Sequence, residues 1–123
     1  MIPRSVHLHP ARTGALLAAL LAACGTTDDR PQTFEYITLE VLAPACGTVA
    51  CHSSSSRVAG YELDTLAGAR TSLQRLVTRG QPDASRLYDV LAGTGKLMPP
   101  DAPIADPDIE LIRSWIVAGA PGL

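Results

Sequence analysis

An apolar run at positions 15–23 sets the first limit on what this chain can fold into. It follows a segment whose only charged side chains are Arg4 and Arg12, and Cys24 comes directly after it. A positively charged start and then a short apolar stretch are typical of a secretory signal. A transmembrane helix is the alternative reading, but crossing a bilayer takes roughly 20 apolar residues, and this run reaches about half that length. We therefore expect residues 1–23 to be removed.

The end of this run predicts a lipid anchor. The stretch Leu21-Ala22-Ala23-Cys24 resembles the bacterial lipobox, in which the cysteine thiol is diacylated and the cysteine then becomes the new N-terminus. Two or more acyl chains hold a protein stably on a membrane without spanning it. The resemblance implies an exported protein that is lipid-anchored to a bacterial membrane through Cys24, on its periplasmic or outer face.

Removing the predicted signal leaves 100 residues and sharpens the inventory of reactive groups. Eight basic and twelve acidic side chains remain, a formal net charge of −4, which argues against a nucleic acid as partner. His52 is then the only histidine and Met98 the only methionine. Because Cys24 is committed to lipid, Cys46 and Cys51 are the only thiols left for the folded domain.

The chain after Cys24 divides into a polar tether at 24–33 and a domain at 34–123. The apolar residues between positions 34 and 42 recur at helical spacing, which predicts a first helix ended by Pro44. A second apolar stripe at 66–77 predicts another helix, stopped by the Gly-then-Pro signal of the stretch after it. The four serines between these two helices have the composition of a loop with no core content.

Two further helices are expected toward the end of the domain. Asp83 or Ser85 is the predicted cap of a third helix. In the last helix Asp106 is the expected N-cap, followed by proline at the first helical position. Between these helices, Met98 lies among two glycines and two prolines, which do not continue a helix, so we expect an irregular loop to present it.

These elements predict an all-α domain, a bundle of about four helices joined by long loops. Its core is thin, because the domain has only five aromatic residues. Folds of this size often need a disulfide, a metal or a cofactor to complete the core.

The sequence Cys46-Gly47-Thr48-Val49-Ala50-Cys51-His52 carries the chemistry. A c-type haem is held by thioether bonds from two cysteines, and the histidine after the second cysteine binds the iron; the usual spacing is C-x-x-C-H. Here four residues separate the cysteines. A disulfide between Cys46 and Cys51 is the alternative, since an exported protein meets an oxidising compartment. A structural zinc site is less favoured, because two thiols and one imidazole leave it one ligand short.

The order of the motifs resembles small monohaem cytochrome c domains of myxobacterial and planctomycete exported proteins. Cys46…Cys51-His52 follows a first helix, Leu97-Met98-Pro99-Pro100 lies in a loop, and a closing helix ends Trp115-Ile116-Val117-Ala118. The likeness covers roughly residues 34–121, and a C-x4-C-H attachment motif also occurs in that family. It implies one covalent haem c per chain, a cytochrome c-like fold around a haem pocket, attachment through Cys46 and Cys51, His52 as proximal ligand and Met98 as distal ligand.

The implied function is electron transfer between redox partner proteins, not enzymatic catalysis. Two axial ligands leave no open iron position for a substrate, and after signal removal the chain has no second histidine to act as a distal base. The alternative is a haem-free lipoprotein interaction module stapled by a Cys46–Cys51 disulfide. The cytochrome hypothesis predicts that Met98 faces His52 across an apolar slot with the two cysteines at its rim. We expect the slot to be lined by some of Leu63, Leu66, Leu73, Leu76, Leu87, Leu91, Leu97 and Ile104.

Basic residues are the remaining candidates for contact with the haem. They would pair with the haem propionates, although a solvated surface position is favoured for each of them: Arg57, Arg70, Arg75, Arg79 and Lys96.

Overall fold

The computed structural model describes residues 27–93 and 95–123; the predicted signal and Cys24 lie outside these residues. Four helices and no strand are found in the described ranges, which confirms the all-α fold. The first helix joins the α-helical turns Phe34–Tyr36 and Ala43–Cys46 through the π-helical turn Ile37–Leu42. The second, third and last helices are Leu66–Leu76, Arg86–Ala92 and Asp106–Val117. None of the described helices is long and apolar enough to cross a membrane.

The first helix continues through Pro44, so the prediction that this proline ends it was wrong. Proline lacks an N–H and its ring crowds the carbonyl four residues earlier, which normally breaks a helix. Here the turn before it is π-helical: the Ala43 N–H donates to the Thr38 carbonyl five residues back. Such a widened turn shifts the hydrogen-bond register and makes room for the proline ring. The helix therefore reaches Cys46 and carries this thiol on its last turn.

The second helix begins after a residue that caps it, whereas the cap predicted for the third helix does not form. Thr65 caps the second helix, because its Oγ1 accepts the Gly68 N–H at 3.1 Å. Ser85 precedes the third helix as predicted, but its hydroxyl makes no cap bond. It accepts the Thr78 N–H at 2.9 Å and donates to the Gln81 carbonyl at 2.8 Å. Ser85 therefore holds the connection between the two helices together.

The last helix begins one residue earlier than predicted. Ala105 is the residue before it, and Asp106 is its first helical residue instead of its cap. As expected, the helix ends before Gly119, whose φ of +91° is left-handed and therefore favours glycine. Its apolar face is central to the core: Ile112, Trp115 and Ile116 are completely buried.

The two ends of the domain are joined beside this helix. The Pro121 carbonyl accepts the Phe34 N–H at 3.0 Å and the Trp115 Nε1–H at 3.1 Å. Phe34 is completely buried, and the Arg70 guanidinium lies 4.3 Å from the centre of its ring. The first helix, the last helix and the C-terminal residues thus form one packed unit, which we call the closed end.

The predicted tether also contacts the domain. The Arg30 guanidinium donates to the Pro107 carbonyl at 3.0 Å, pairs with Asp108, and pairs with Asp28 at 2.7 Å. The hydrogen bonds that Arg30 donates to Asp28 lower the pKa of the Asp28 carboxyl. The chain is therefore fixed against the start of the last helix before it enters the first.

Candidate functional site

A cavity of about 240 Å³ lies between the loop that follows Cys46, the second helix and the third helix. Its lining is mostly apolar, as in most sites for small molecules and cofactors. The lining residues are Cys46, His52, Ala59, Tyr61, Leu63, Leu76, Arg86, Leu87, Val90, Leu91 and Met98. The cavity thus brings together three of the four residues for which a haem-binding role was predicted.

The lining agrees with the predicted slot in part. Four of the eight expected apolar residues line it: Leu63, Leu76, Leu87 and Leu91. The other four do not. Leu73 is completely buried in the core, Leu66 is exposed, and Leu97 and Ile104 line a separate surface depression beside the last helix. Sequence periodicity identifies the apolar face of a helix, but it does not say which part of that face meets a cavity.

His52 is held by three hydrogen bonds from different parts of the loop. Its N–H donates to the Cys46 carbonyl at 3.0 Å, and its carbonyl accepts the Leu63 N–H at 2.7 Å. On the ring, Nδ1 lies 2.8 Å from the Val58 carbonyl oxygen. A carbonyl only accepts, so Nδ1 carries the proton and the lone pair of the neutral ring lies on Nε2. Metal-binding histidines are usually held in this way, with one ring nitrogen bonded to the protein and the other free for the metal.

The acceptor for His52 comes from a strained segment. Arg57 and Ala59, on either side of Val58, have φ values of +46° and +55°, which are unfavourable for residues with a Cβ. The Val58 carbonyl also accepts the Tyr61 N–H at 3.3 Å, and the Val58 N–H donates to the Cys51 carbonyl at 3.0 Å. The strained backbone therefore folds the chain back so that one carbonyl reaches the imidazole.

The serine run is a loop outside the hydrophobic core, as predicted, and it forms an ordered turn. Ser53 is buried, and its Oγ lies 2.9 Å from the hydroxyls of both Ser55 and Ser56. Asp64 accepts the Ser54 N–H at 2.8 Å and the Ser54 hydroxyl at 2.9 Å. Both bonds lower the pKa of the Asp64 carboxyl, and the bond from the Ser54 backbone N–H has the larger effect. The turn fixes the backbone immediately after His52.

Met98 is presented by a loop, as predicted, and it lines the same cavity as His52. Its N–H donates to the Val90 carbonyl at 2.8 Å, which ties the loop to the third helix. Gly93 ends that helix in a tight fit: a Cβ there would lie 2.3 Å from the Asp89 carbonyl oxygen. Only glycine therefore lets the chain leave the helix toward Met98 along this path.

The two cysteines differ in their surroundings. Cys46 is buried at the end of the first helix and lines the cavity, whereas Cys51 is half-buried and does not line it. Both thiols are free. Burial, and to a lesser degree the neighbouring Cys51, raises the pKa of the Cys46 thiol to about 11. Within the described ranges, no three histidine, cysteine or acidic side chains are placed to hold one metal ion.

Gly47 shapes the loop between the cysteines. A Cβ at this position would lie 2.8 Å from the Ala43 carbonyl oxygen and 2.9 Å from the Asp64 Cα. Glycine therefore allows the segment that carries Leu63 to pack against the end of the first helix. Cys46 and His52, on either side of this loop, both line the cavity.

One arginine, Arg86, lies in the cavity lining, and it is not one of the basic residues predicted to pair with the haem propionates. Arg86 lines the cavity and pairs with Asp89. Arg57 instead pairs with Glu62 at 3.0 Å, and Arg79 donates to the carbonyls of Gly119 and Ala120. Ala59, Tyr61 and Val90 are further lining residues that sequence reasoning missed. The only sequence signal for Arg86 is its place directly before Leu87 in the third helix.

The residues present fit a c-type haem by their chemistry. An apolar chamber is bordered by a cysteine thiol, a histidine whose tautomer leaves Nε2 available, and a thioether. These are three of the four side chains that a haem c with two thioether bonds and two axial ligands would need; the fourth, Cys51, precedes His52 directly but does not line the cavity. Apart from Arg86, the lining offers no charged group that such a ligand would have to displace.

Comparison with known proteins supports the same assignment. Residues 49–102 match the family model described as Planctomycete cytochrome C. The matched segment includes Cys51, His52 and Met98; it begins after Cys46 and ends before the last helix. The match supports a cytochrome c-like domain and a c-type cytochrome that carries electrons, and this family implies covalent haem c. No curated protein and no solved structure matches the chain.

Proposed function

We propose that this chain is a membrane-anchored monohaem cytochrome c, of the myxobacterial and planctomycete exported type, that carries electrons between redox partner proteins. One observation carries the proposal. His52, with Nδ1 bonded to a backbone carbonyl, and Met98 border the same apolar cavity as Cys46. The match to the planctomycete cytochrome family points to the same function.

Each residue has a distinct role in this proposal. Cys46 and Cys51 would hold the haem by thioether bonds, so that it would stay with the protein when the chain unfolds. His52 is the proximal ligand and its orientation is set by the Val58 carbonyl. Met98 is the distal ligand, held by the bond from its N–H to Val90. When bound, haem c supplies a one-electron redox couple.

The choice of ligands favours electron transfer over catalysis. With both axial positions filled by protein side chains, no iron position is open to a substrate. A methionine ligand also raises the reduction potential. The partners would therefore be proteins that donate or accept single electrons. The apolar chamber would keep water away from the haem.

A spectrum and a mass test this proposal. The chain is expressed in a bacterium with haem-attachment machinery, purified, and examined under denaturing conditions. We expect a red protein with one covalent haem, and we expect Cys46→Ser and Cys51→Ser each to lose one thioether bond. A colourless protein with no added mass and a Cys46–Cys51 disulfide would instead establish the haem-free interaction module.

Met98 is tested separately. Met98→Ala should keep the haem attached, because the thioether bonds are untouched, but lower the potential and admit external ligands such as cyanide or imidazole to the iron. Leu97→Ala is the matched control, since Leu97 lies outside the cavity lining. Equal cyanide binding by the Met98→Ala and Leu97→Ala proteins would contradict the distal-ligand assignment.

The membrane anchor is the part of the proposal that rests on sequence alone. Acylation of Cys24 would place the domain on the periplasmic or outer face of a bacterial membrane. Cys24→Ala should abolish labelling with radioactive fatty acid and release the protein from the membrane fraction. Cys46→Ala is the control that should keep both label and location. Label that persists in the Cys24→Ala protein would refute this anchor.

A further inference from the structure

We infer that Tyr61 and Arg75 form a positioning pair that fixes the rotation of the His52 ring and places a positive charge beside it. This inference rests on the proposed function, because it concerns what His52 does as an iron ligand. The Tyr61 ring lies edge-on to the His52 ring, with 5.9 Å between ring centres and 66° between ring planes. Tyr61 is half-buried and lines the cavity.

The orientation of His52 is controlled from two directions. The hydrogen bond from Nδ1 to the Val58 carbonyl fixes one point of the ring, but it still allows rotation about that bond. Edge-on contact with Tyr61 limits this rotation, because aromatic rings prefer edge-to-face and offset-stacked arrangements over face-to-face stacking. Tyr61 is itself fixed, since its N–H donates to the same Val58 carbonyl at 3.3 Å.

Arg75 supports Tyr61. Its guanidinium carbon lies 4.8 Å from the centre of the Tyr61 ring, within the range of a cation–π contact. Its Nη2 donates to the Gly60 carbonyl at 2.7 Å, which ties the second helix to the strained segment. Among the described residues no carboxylate pairs with Arg75, so its charge is not neutralised locally.

The charge of Arg75 lies close enough to act on the redox site. The two separations of 4.8 and 5.9 Å place it within about 11 Å of the His52 ring. A positive charge favours the reduced state, which carries one positive charge less than the oxidised state. In water, a unit charge at about 10 Å changes such an equilibrium about twofold, and more where solvent is excluded.

The chain offers a matched control in Arg70. Like Arg75 it lies on the second helix, stacks on an aromatic ring, here Phe34 at 4.3 Å, and donates to a backbone carbonyl, here Gly122 at 2.5 Å. Phe34 belongs to the closed end and does not line the cavity. A purely structural role predicts similar effects for the two arginines, whereas our inference separates them.

The experiment uses the haem-loaded protein and measures the ratio of reduced to oxidised protein in a fixed redox buffer. Arg75→Gln should lower this ratio about twofold or more, and less at high salt, because exposed charges are screened. Arg75→Lys, which keeps the charge, and Arg70→Gln should leave the ratio near that of the parent. Equal ratios for Arg75→Gln and Arg70→Gln would overturn the charge role.

Ring orientation is measured by the paramagnetic shifts of the haem methyl protons in the oxidised protein, which depend on the plane of the imidazole. Tyr61→Phe, which keeps the ring, should retain the shift pattern, and Tyr61→Leu should change it. An unchanged pattern in Tyr61→Leu would overturn the positioning role. A colourless parent protein would refute the proposed function and this inference with it, whereas a red parent with unresponsive variants would refute the inference alone.

Discussion

The closed end and the cavity region of this domain are stabilised in different ways. At the closed end large apolar side chains fill the space completely: Phe34, Ile37, Ile112, Trp115 and Ile116 have no exposed surface. Around the cavity, the chain is held mainly by hydrogen bonds and tight turns, with apolar side chains around an open space. The closed end is therefore complete without a ligand, whereas the cavity region is pre-organised for one.

Left-handed backbone at residues with a Cβ occurs in both regions. The strained residues Arg57 and Ala59 both lie beside the cavity, in the segment that aims the Val58 carbonyl at His52. At the closed end Ala120 also has a left-handed φ, of +52°, directly after Gly119, where glycine adopts this conformation without strain. Backbone strain therefore does not separate the two regions; only the strain at Arg57 and Ala59 lies next to a carbonyl that meets His52.

The largest expected effect tests the closed end. Trp115→Ala should lower the free energy of unfolding by about 3–5 kcal/mol, because it empties a fully packed position and leaves the Pro121 carbonyl without its Nε1–H donor. Urea unfolding of the haem-free domain measures this. Val117→Ala, at an exposed position of the same helix, should change it by less than about 0.5 kcal/mol. Similar losses in the two variants would contradict the assignment of Trp115 to the closed core.

Two leucines compare the filled core with the cavity lining directly. Leu73→Ala should cost about 3–5 kcal/mol, because it creates a new void in the core. Leu87→Ala, beside a space that already exists, should cost the haem-free protein only the lost transfer free energy, about 2 kcal/mol. Haem loading should reduce the difference between the unfolding free energies lost in the two variants. Equal costs in the haem-free protein would show that the cavity collapses in solution.

Two backbone substitutions should have opposite signs. Gly119→Ala should destabilise the domain by about 1 kcal/mol, because φ is +91° there. Ala59→Gly should stabilise it by a few tenths of a kcal/mol, since relief of strain is partly offset by the greater backbone freedom of glycine. Gly95→Ala is the control for the added methyl group, since a Cβ there meets no atom within 4 Å. A destabilised Ala59→Gly protein would contradict the strain at this position.

The smallest expected effect depends on pH. The pKa of Asp64 is lowered from its ordinary value of 3.8 by its bonds to Ser54. Its contribution to stability is therefore complete above that value and is lost as the pH falls through the lower, folded-state pKa. The stability difference between the parent and Asp64→Asn should be constant near neutral pH and decrease below about pH 4.

Features set by local periodicity could be predicted from the sequence. The second and last helices follow from apolar residues at helical spacing and from the Gly-Pro signals after them, and the structure has them within one residue of the expected limits. The loop that presents Met98 follows from its glycines and prolines. These features depend on neighbours within a few positions of the chain.

Features that depend on distant partners could not be predicted. The role of the serine turn depends on Asp64, ten positions after Ser54, and the continuation of the first helix through Pro44 depends on a π turn without a sequence signature. Tyr61 and Arg86 were missed because neither belongs to an apolar stripe, although both line the cavity. Ser85 has the composition of a cap, but Thr78 and Gln81 compete for its hydroxyl.

The shared Pro121 carbonyl has a consequence for how this domain combines with others. It joins the Phe34 N–H, at the first residue of the first helix, to Pro121, which follows the last helix. A domain whose ends lie side by side can be inserted into a surface loop of a larger protein without separating the two halves of the host. Both ends lie outside the cavity lining, so polypeptide added at either one enters at a point away from His52 and Met98.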